Sequence, residues 1–251
     1  IIGCGVIGAA TAFALARYDL SVVLLEREND VADGTTKANS AIIHAGYDPE
    51  PGTLMARLNV EGNRMVKELA RRRDVPCKEI GSMVLAFDEG DLGTIRTLYD
   101  RGVQNGVPGL RLLSAEEALA LEPNLSREVR GALLAPSAAV ISPWEFCLAL
   151  AETAVKNGVQ LFLNSPVTAI ERIEGGYRIT AGERAVESRM VVNAAGVHAA
   201  RVHDMVAPHA FTTHPSRGEY YLMDKSQGAL VDHVIFQCPN KDGKGVLVSP
   251  T

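Results

Sequence analysis

A glycine-rich turn at the start of the chain constrains its fold more than any other feature. Two β-branched residues, Ile1 and Ile2, run directly into Gly3-Cys4-Gly5-Val6-Ile7-Gly8. In a G-x-G-x-x-G turn between a strand and a helix, the first glycine permits the tight bend and the second lets the backbone approach a pyrophosphate. The third lets the helix pack closely on the strand, and the helix N-terminus faces the phosphates. The segment therefore predicts a dinucleotide-binding βαβ unit.

The residues after this turn support the same interpretation. An apolar helix is predicted from Ala9 to Ala16, and Ser21-Val22-Val23-Leu24-Leu25 reads as a second buried strand. That strand ends in Glu26, which lies 18 positions after Gly8. An acidic side chain at about this distance accepts hydrogen bonds from an adenosine ribose. The alternative is a helix cap followed by a surface glutamate. It does not explain why the strand, turn, helix, second strand and acidic residue all match the order of the βαβ dinucleotide-binding unit.

Composition excludes several classes of protein. With 251 residues and 47% hydrophobic content, the chain can bury a full core in one large domain or two. A net charge of −5 argues against a nucleic-acid partner. No apolar stretch approaches the roughly 20 residues that span a bilayer. The four cysteines have no C-x-x-C spacing, so neither a zinc site nor an iron–sulfur cluster is predicted. We expect a cytoplasmic location, or a peripheral one at the inner membrane surface in a longer protein.

The order of predicted elements indicates a discontinuous architecture. A helix is predicted from Thr53 to the arginines at 71–73, and helices also at 90–105, 114–121 and from Ser142 to Gly158. Strands are predicted at 81–87, 131–140, 159–163, 167–173, 177–180, 190–196, 219–223, 230–237 and 245–248. The βαβ layer is thus interrupted, resumes near residue 141, and gives way to mainly antiparallel sheet. Such interruption is typical of flavin enzymes, and both chain ends suggest part of a longer protein.

Three segments carry a family resemblance. They are TTKANSAIIHAGY at 35–47, which follows the strand VVLLERE, VVNAAGVHA at 191–199, and PSRGEYYLMD at 215–224. The sequence resembles the FAD-dependent glycerol-3-phosphate dehydrogenases and L-2-hydroxyglutarate oxidases of the D-amino acid oxidase-like flavoprotein superfamily. The resemblance implies an α/β fold with a Rossmann-like FAD-binding domain at 1–80 and 141–207. It also implies an α+β substrate, or cap, domain at 81–140 and 208–251, which is incomplete at its C-terminus.

The resemblance also assigns cofactor contacts along the chain. The pyrophosphate would be held by Gly3, Gly5, Val6, Ile7 and Gly8, and the adenosine side by Glu26, Arg27 and the backbone of Val167. The ribityl and phosphate path would be lined by Thr35, Thr36, Asn39 and Ser40. Ala45 and Gly46 would meet the isoalloxazine ring, and Ala195 and Gly196 would close over the cofactor. The two glycine turns should therefore converge. The family's C-terminal stretch lies beyond Thr251, so this piece is expected to bind FAD poorly or not at all.

Four residues are candidates for chemistry on the substrate, a small anion whose secondary alcohol is oxidised. His44 is the candidate base, because imidazole exchanges protons near neutral pH; it could instead shape the pocket or attach FAD covalently. Arg217 is a candidate to bind a phosphate or carboxylate with two hydrogen bonds, and the alternative is that it forms a surface ion pair with Glu219. Tyr47 and Tyr221 are candidate hydrogen-bond donors to substrate, or packing residues.

Other functions stay open at this point. No histidine spacing indicates a metal site. The same scaffold could support an amine or amino-acid oxidase, and the chain could also be a non-catalytic FAD-binding subunit of an electron-transfer assembly. The electron acceptor could be oxygen, a quinone or an iron–sulfur partner. Glycerol 3-phosphate is the first expectation for the substrate, with L-2-hydroxyglutarate second.

Overall fold

The computed structural model describes residues 1–239 and 245–250. The helices are α1 Val6–Leu15, α2 Leu54–Arg72, α3 Glu89–Gln104, α4 Ala115–Leu121, α5 Pro143–Lys156 and α6 Ala199–His203. The strands are β1 Val23–Leu25, β2 Ile42–Ile43, β3 Cys77–Lys78, β4 Ser82–Ala86, β5 Arg111–Ser114, β6 Gly131–Ala135, β7 Ala139–Ile141, β8 Gln160–Phe162, β9 Val167–Ile173, β10 Gly176–Ala181, β11 Arg184–Ser188, β12 Val234–Gln237 and β13 Leu247–Val248. The chain divides into two compact units, Ile1–Ser40 with Ser142–Glu219 and Ala41–Ile141 with Tyr220–Thr251. We call them unit 1 and unit 2.

Unit 1 is built around the opening residues of the chain. Ile2 forms parallel bridges to Leu25 at the end of β1 and to Asn193, and β1 pairs in parallel with β8. The helices α1 and α5 pack against each other. The two stretches predicted to converge do so, which confirms that expectation. The strand predicted at 190–196 is wrong in extent, because the segment meets its neighbour through that single bridge and forms no longer ladder.

Unit 1 also contains a three-stranded antiparallel sheet in the order β11-β10-β9. The predicted hairpin around Gly175 is confirmed, since Ile173 pairs with Gly176 across the turn. The strand β11 was not predicted, because its residues are mostly exposed and Val186 is its one β-branched residue. Ile170 and Ile179 point from β9 and β10 into a core cluster that also contains Ile2 and Leu25. The sheet thus stabilises the segment that carries the first glycine turn.

Unit 2 is organised by a five-stranded mixed sheet in the order β13-β12-β4-β6-β5. Only β12 and β4 pair in parallel. Both faces of the sheet are covered, because Ile95 of α3 joins the cluster on one face and Ala118 of α4 joins the cluster on the other. This explains why β4 and β6 are continuously apolar and fully buried. The predicted mainly antiparallel sheet is confirmed here.

A small antiparallel sheet in the order β2-β7-β3 places the 41–80 stretch in unit 2. Ile42 pairs with Val140, and Cys77 pairs with Ile141, so both ends of the 41–80 stretch are hydrogen-bonded within unit 2. The compact units therefore divide after Ser40 and after Glu219, whereas the predicted FAD-binding and substrate domains divide at residues 80 and 207. The assignment of these stretches to the two functional domains stays a prediction. The single strand predicted at 131–140 is two strands in different sheets, because a turn at 136–138 separates β6 from β7.

The last predicted strands are shorter than expected or absent. Residues 219–223 form no strand and are exposed, whereas 230–237 and 245–248 shorten to β12 and β13. A β-strand forms only when another strand pairs with it. Residues 219–223 have β-propensity, but no strand pairs with them in the described part of the chain. Within the described part of the chain, no helix is both long enough and apolar enough to cross a membrane.

Candidate cofactor and active site

The first glycine turn has the close backbone approaches that its motif predicts. Gly3 has a φ of +95°, and a Cβ on it would lie 2.6 Å from the carbonyl oxygen of Ala194. A Cβ on Gly8 would lie 1.8 Å from the carbonyl oxygen of Gly3. A side chain at either position would therefore push α1 or the second glycine turn away. The backbone here is bent and packed as a dinucleotide-binding turn requires.

The N-terminus of α1 has donors for an anion. The first N–H groups of a helix have no intrahelical partner, which applies here to Val6, Ile7 and Gly8. The Val6 N–H donates to the Thr36 hydroxyl oxygen at 3.0 Å, and a Cβ on Gly5 would lie 3.0 Å from the same oxygen. This donor set and the helix dipole suit a pyrophosphate. The geometry thus fits the phosphates of a dinucleotide.

The loop that carries Thr36 is folded by its own side chains and tied to the turn. The Asn39 side-chain amide donates to the carbonyl oxygens of Thr35 at 3.1 Å and Thr36 at 2.7 Å. Ala32, in the left-handed region at φ 62°, donates its N–H to the Cys4 carbonyl oxygen at 3.0 Å. Of the four loop residues expected near the cofactor, the structure brings Thr36 to the α1 N-terminus. Asn39 and Thr35 shape the loop, and Ser40 is half-buried at its end.

Glu26 is buried, and its carboxylate serves the protein itself. Its Oε2 accepts from the Cys4 N–H at 2.6 Å, and its Oε1 accepts from the Glu28 N–H at 3.0 Å. Glu26, predicted from the sequence to contact a ribose, therefore also anchors the glycine turn. A carboxylate has about four acceptor sites, so these two bonds leave capacity for further donors. Arg27 beside it is half-exposed.

The remaining predicted cofactor residues of unit 1 lie at two places. Val167 is half-buried in β9 opposite Ala181 and packs against the cluster that contains Ile2. Ala195 precedes a short 3₁₀ turn, Gly196–His198, in which Gly196 has a φ of +56°. This second glycine turn follows directly on Ala194, which lies against the first turn. The structure therefore brings the second turn to the first, as predicted.

His44 lines a small pocket of unit 2. Its ring stacks on Phe236 with centroids 5.9 Å apart and an angle of 28° between the planes. The pocket has a volume of about 120 Å³ and is lined by His44, Gly46, Tyr47, Asp48, Pro49, Met55, Asn59, Val84, Leu98, Phe236, Gln237 and Pro239. Its walls are mostly apolar. No lysine or arginine belongs to this set, so the described residues give the pocket no fixed positive charge.

Two asparagines that the sequence analysis missed hold the loop containing His44. The Asn63 side-chain amide of α2 donates to the carbonyl oxygens of His44 at 3.0 Å and Ser137 at 2.9 Å. The Asn105 amide, just after α3, donates to the carbonyl oxygens of Gly46 at 3.0 Å and Pro49 at 2.8 Å. We call Asn63 and Asn105 the amide clamp. Nothing in their local sequence signals this role, because their partners are 19 to 74 residues away.

Tyr47 is a buried wall of the pocket. Burial raises the pKa of its hydroxyl to about 12, although a hydrogen bond with the Ser82 side chain lowers it in part. The hydroxyl therefore stays protonated at neutral pH and cannot act there as a base. Ala45 is buried in the same loop, and a Cβ on Gly46 would lie 2.7 Å from the Val60 side chain. Glycine at 46 is thus required by a packing contact and by its φ of +108°.

The other two candidate substrate residues are on the surface. Arg217 pairs with Glu219 at 3.0 Å, and the two side chains are 86% and 77% exposed. Tyr221 is 97% exposed and is not part of the pocket lining. The structure thus brings Tyr47 together with His44 but does not bring Tyr221 to them. For Arg217 it shows the surface pair that was the alternative interpretation.

A buried carboxylate fixes the segment that leads to Phe236. Glu122, whose side chain is 2% exposed, accepts from the N–H groups of Asp232 and His233 and lies 2.7 Å from Nδ1 of His233. These bonds set the entry into β12, which carries the Phe236 ring. The sequence around Glu122 does not indicate this role, because its partners are 110 and 111 residues away. Among the described residues, no cluster of three potential ligands could hold a metal ion.

Comparison with known proteins gives a consistent result. The family model DAO, FAD dependent oxidoreductase, matches residues 1–251. The glycerol 3-phosphate dehydrogenase of Caloramator mitchellensis is 53% identical over 251 residues, which are 100% of this chain and 52% of that protein. The L-2-hydroxyglutarate dehydrogenase of Escherichia coli O17:K52:H18 (strain UMN026 / ExPEC) is 30% identical over 244 residues, 96% of this chain and 57% of that protein.

A solved structure agrees with these relatives. The dithionite-reduced L-α-glycerophosphate oxidase of Mycoplasma pneumoniae with FAD bound matches with a TM-score of 0.87 at 30% identity, over 100% of this chain and 67% of that chain. The present chain spans about half the length of the Caloramator relative. The resemblance predicted from the sequence is confirmed. Because the family model matches every residue, and the first glycine turn has the geometry that such a cofactor requires, the chain belongs to the DAO family of FAD-dependent oxidoreductases.

Proposed function

We propose that the protein oxidises the secondary alcohol of glycerol 3-phosphate, with FAD as the hydride acceptor. The observation that carries this proposal is the 53% identity to a glycerol 3-phosphate dehydrogenase along all 251 residues. L-2-hydroxyglutarate is the second candidate, supported by the 30% identical dehydrogenase for that substrate. Both are small anions with a secondary alcohol, so one site chemistry serves either of them.

The cofactor would be held by the residues of unit 1 that form donors and close approaches. The N–H groups of Ile7 and Gly8 suit the pyrophosphate, and the Val6 N–H, which donates to the Thr36 hydroxyl here, could turn to it as well. Glu26 and Arg27 are our candidates for the adenosine side. Bound FAD supplies the two-electron redox chemistry, which no protein side chain here provides.

His44 would accept the proton of the substrate hydroxyl. Of the titratable groups in its pocket, imidazole is the type matched to proton transfer near neutral pH, whereas Tyr47 stays protonated. Stacking on Phe236 and the bond from Asn63 to the His44 carbonyl restrict where the imidazole can lie. Arg217 would bind the substrate anion by exchanging its exposed pair with Glu219 for the phosphate.

The test is anaerobic reduction of the flavin in the full-length holoenzyme, followed by absorbance, with glycerol 3-phosphate, L-2-hydroxyglutarate, glycine and L-proline as separate reductants. We expect glycerol 3-phosphate to bleach the flavin fastest. His44→Ala should slow that bleaching by about 10²-fold or more, the typical size of a general-base contribution. Reduction by dithionite and the flavin content should not change.

His209→Ala is the matched control, because His209 is exposed and pairs with Asp204. It should reduce at the wild-type rate. Faster bleaching by an amino acid would identify an amino-acid oxidase instead. Wild-type rates in His44→Ala would remove His44 from the chemistry, and no bleaching by any of the four compounds would favour a non-catalytic FAD-binding subunit.

The electron acceptor and the location complete the proposal. Oxygen, a quinone and an iron–sulfur protein are the candidate acceptors, and the rate at which each reoxidises the reduced flavin separates them. We propose a cytoplasmic location or peripheral attachment to the inner membrane surface, because the four cysteines are free and lack metal spacing. Cell fractionation with a salt wash distinguishes the two.

A further inference from the structure

We propose that His198 is a positioning residue that orients Arg27 toward the adenosine end of the cofactor. The proposal rests on FAD binding by this family and on no assumption about the substrate. Nε2 of His198 lies 2.9 Å from Nη1 of Arg27, although the two residues are 171 positions apart. Neither the metal nor the catalytic interpretation of the histidines uses His198. Its contact joins the two separated stretches of unit 1 that surround the glycine turns.

The chemistry of the pair fixes the state of the imidazole. A guanidinium has only donor hydrogens and does not lose its proton in proteins. Nε2 of His198 must therefore be the acceptor, so it carries no proton, and the ring is the neutral tautomer with its hydrogen on Nδ1. A doubly protonated imidazole would place two N–H groups against each other at 2.9 Å. Nε2 of His198 thus acts here as a hydrogen-bond acceptor for Arg27.

The contact leaves the guanidinium oriented and still able to bind. Nε of Arg27 pairs with Oε1 of Glu28 at 2.7 Å, and one hydrogen of Nη1 goes to His198. Of the five donor hydrogens, the second one on Nη1 and both on Nη2 are not used by these two partners. The contact with Glu28 fixes only the Nε atom of the Arg27 guanidinium. With the second contact from Nη1 to His198, the guanidinium is held at two atoms, and its plane is therefore defined.

His198 is itself held by the second glycine turn. Its backbone N–H donates to the Ala195 carbonyl oxygen at 3.0 Å. The Asn193 side chain accepts from the Ala195 N–H at 3.2 Å and donates to the Ala199 carbonyl oxygen at 2.8 Å. On the other side, Glu28 donates its N–H to Glu26, which binds the first glycine turn. A hydrogen-bonded path therefore runs from one turn to the other through Arg27 and His198.

The experiment measures the rate of FAD release from the full-length holoenzyme by the recovery of flavin fluorescence after dilution. Variants are His198→Ala, His198→Gln, Arg27→Ala and the double variant, with His209→Ala as an exposed histidine control. Losing one charge-assisted contact at an exposed site should speed release about five- to tenfold in His198→Ala. His198→Gln, whose amide oxygen can accept the same bond, should recover most of this loss.

The double variant is the decisive measurement. If His198 acts through Arg27, removing it from Arg27→Ala adds little, and the two effects are strongly non-additive. Wild-type release in His198→Ala, full additivity in the double variant, or no recovery by glutamine would each overturn the proposal. Equal melting temperatures of the apoproteins show that the fold is retained. Because no substrate is used, failure of glycerol 3-phosphate oxidation would leave this result unaffected.

Discussion

Replacing Asn63 of the amide clamp with leucine should loosen the loop that carries His44. Asn63 is buried, and its amide donates at 3.0 Å to the His44 carbonyl oxygen and at 2.9 Å to that of Ser137. Leucine has the same branching and no donor, so it removes both hydrogen bonds, although it is larger than asparagine and adds a packing cost of its own. Asn63→Ala, which removes the same two bonds without adding volume, is measured beside it, and an effect that both variants share reports the lost hydrogen bonds.

The expected cost follows from what each carbonyl retains. The Ser137 oxygen keeps the Lys67 ammonium at 3.1 Å, so its lost bond is worth only about 1 kcal/mol. For the His44 oxygen, losing a donor in a partly buried site costs about 1 to 3 kcal/mol. The sum is about 3 kcal/mol, which corresponds to roughly a hundredfold change in an opening equilibrium.

Hydrogen exchange measured by mass spectrometry on peptides that cover β2 and β7 is the assay, because β2 directly precedes His44 and β7 directly follows the Ser137 turn. We expect about a hundredfold faster exchange of these amides in Asn63→Leu. Asn124→Leu is the matched control, since its exposed amide donates to the Leu230 carbonyl oxygen at 3.0 Å and water can replace it. Exchange in Asn63→Leu within threefold of wild type would refute the reasoning.

Two further predictions concern unit 1. In the full-length protein, Gly8→Ala should abolish FAD binding, because the new Cβ would lie 1.8 Å from a backbone oxygen. Gly34→Ala, which meets nothing within 4 Å, should keep the cofactor. The ratio of flavin to protein absorbance decides, and flavin-loaded Gly8→Ala would contradict the proposed packing. Burial raises the pKa of the Cys4 and Cys147 thiols to about 12, so a thiol reagent should label them in folded protein far more slowly than after unfolding. The folded-state pKa of these thiols is above the unfolded value of about 8.5, so their contribution to stability is complete below that pH and is lost as pH rises toward 12. A Cys4→Ala/Cys147→Ala variant should therefore lose free energy of unfolding less steeply than wild type as pH rises above about 8.5. If the free energy of unfolding falls equally steeply in both proteins, burial of the thiols is not the cause.

Local signals in the sequence were sufficient where a structure depends on near neighbours. The capping box of Ser114 and Glu117 forms as predicted, and Ser142 caps α5 with Pro143 in its first turn. The bend at Gly3 and the close packing at Gly8 also follow from the motif, because the absence of a side chain is itself the requirement. These elements involve residues within a few positions of each other. The local sequence is therefore enough to predict that they form.

Pairing between distant segments could not be predicted in the same way. The apolar run at 131–140 gives no indication that its two halves enter different sheets, because β-propensity does not specify a partner. The compact units divide after residue 40, and not at the residue 80 predicted for the domains, for the same reason, since β2 and β3 pair with β7. Arg217 and Tyr221 fit the family pattern, yet their exposure depends on which surfaces the rest of the chain covers.

The sequence by itself determined the dinucleotide turn, its helix and strand, the family and the cofactor, because glycine geometry, capping and apolar runs act over short distances. Only the tertiary structure decided which polar groups hold these parts in place. Asn63 on the His44 loop, Glu122 before β12 and His198 on Arg27 each meet a partner at least 19 residues away. A hydrogen bond needs two groups within about 3 Å, and that distance is set by how the whole core packs.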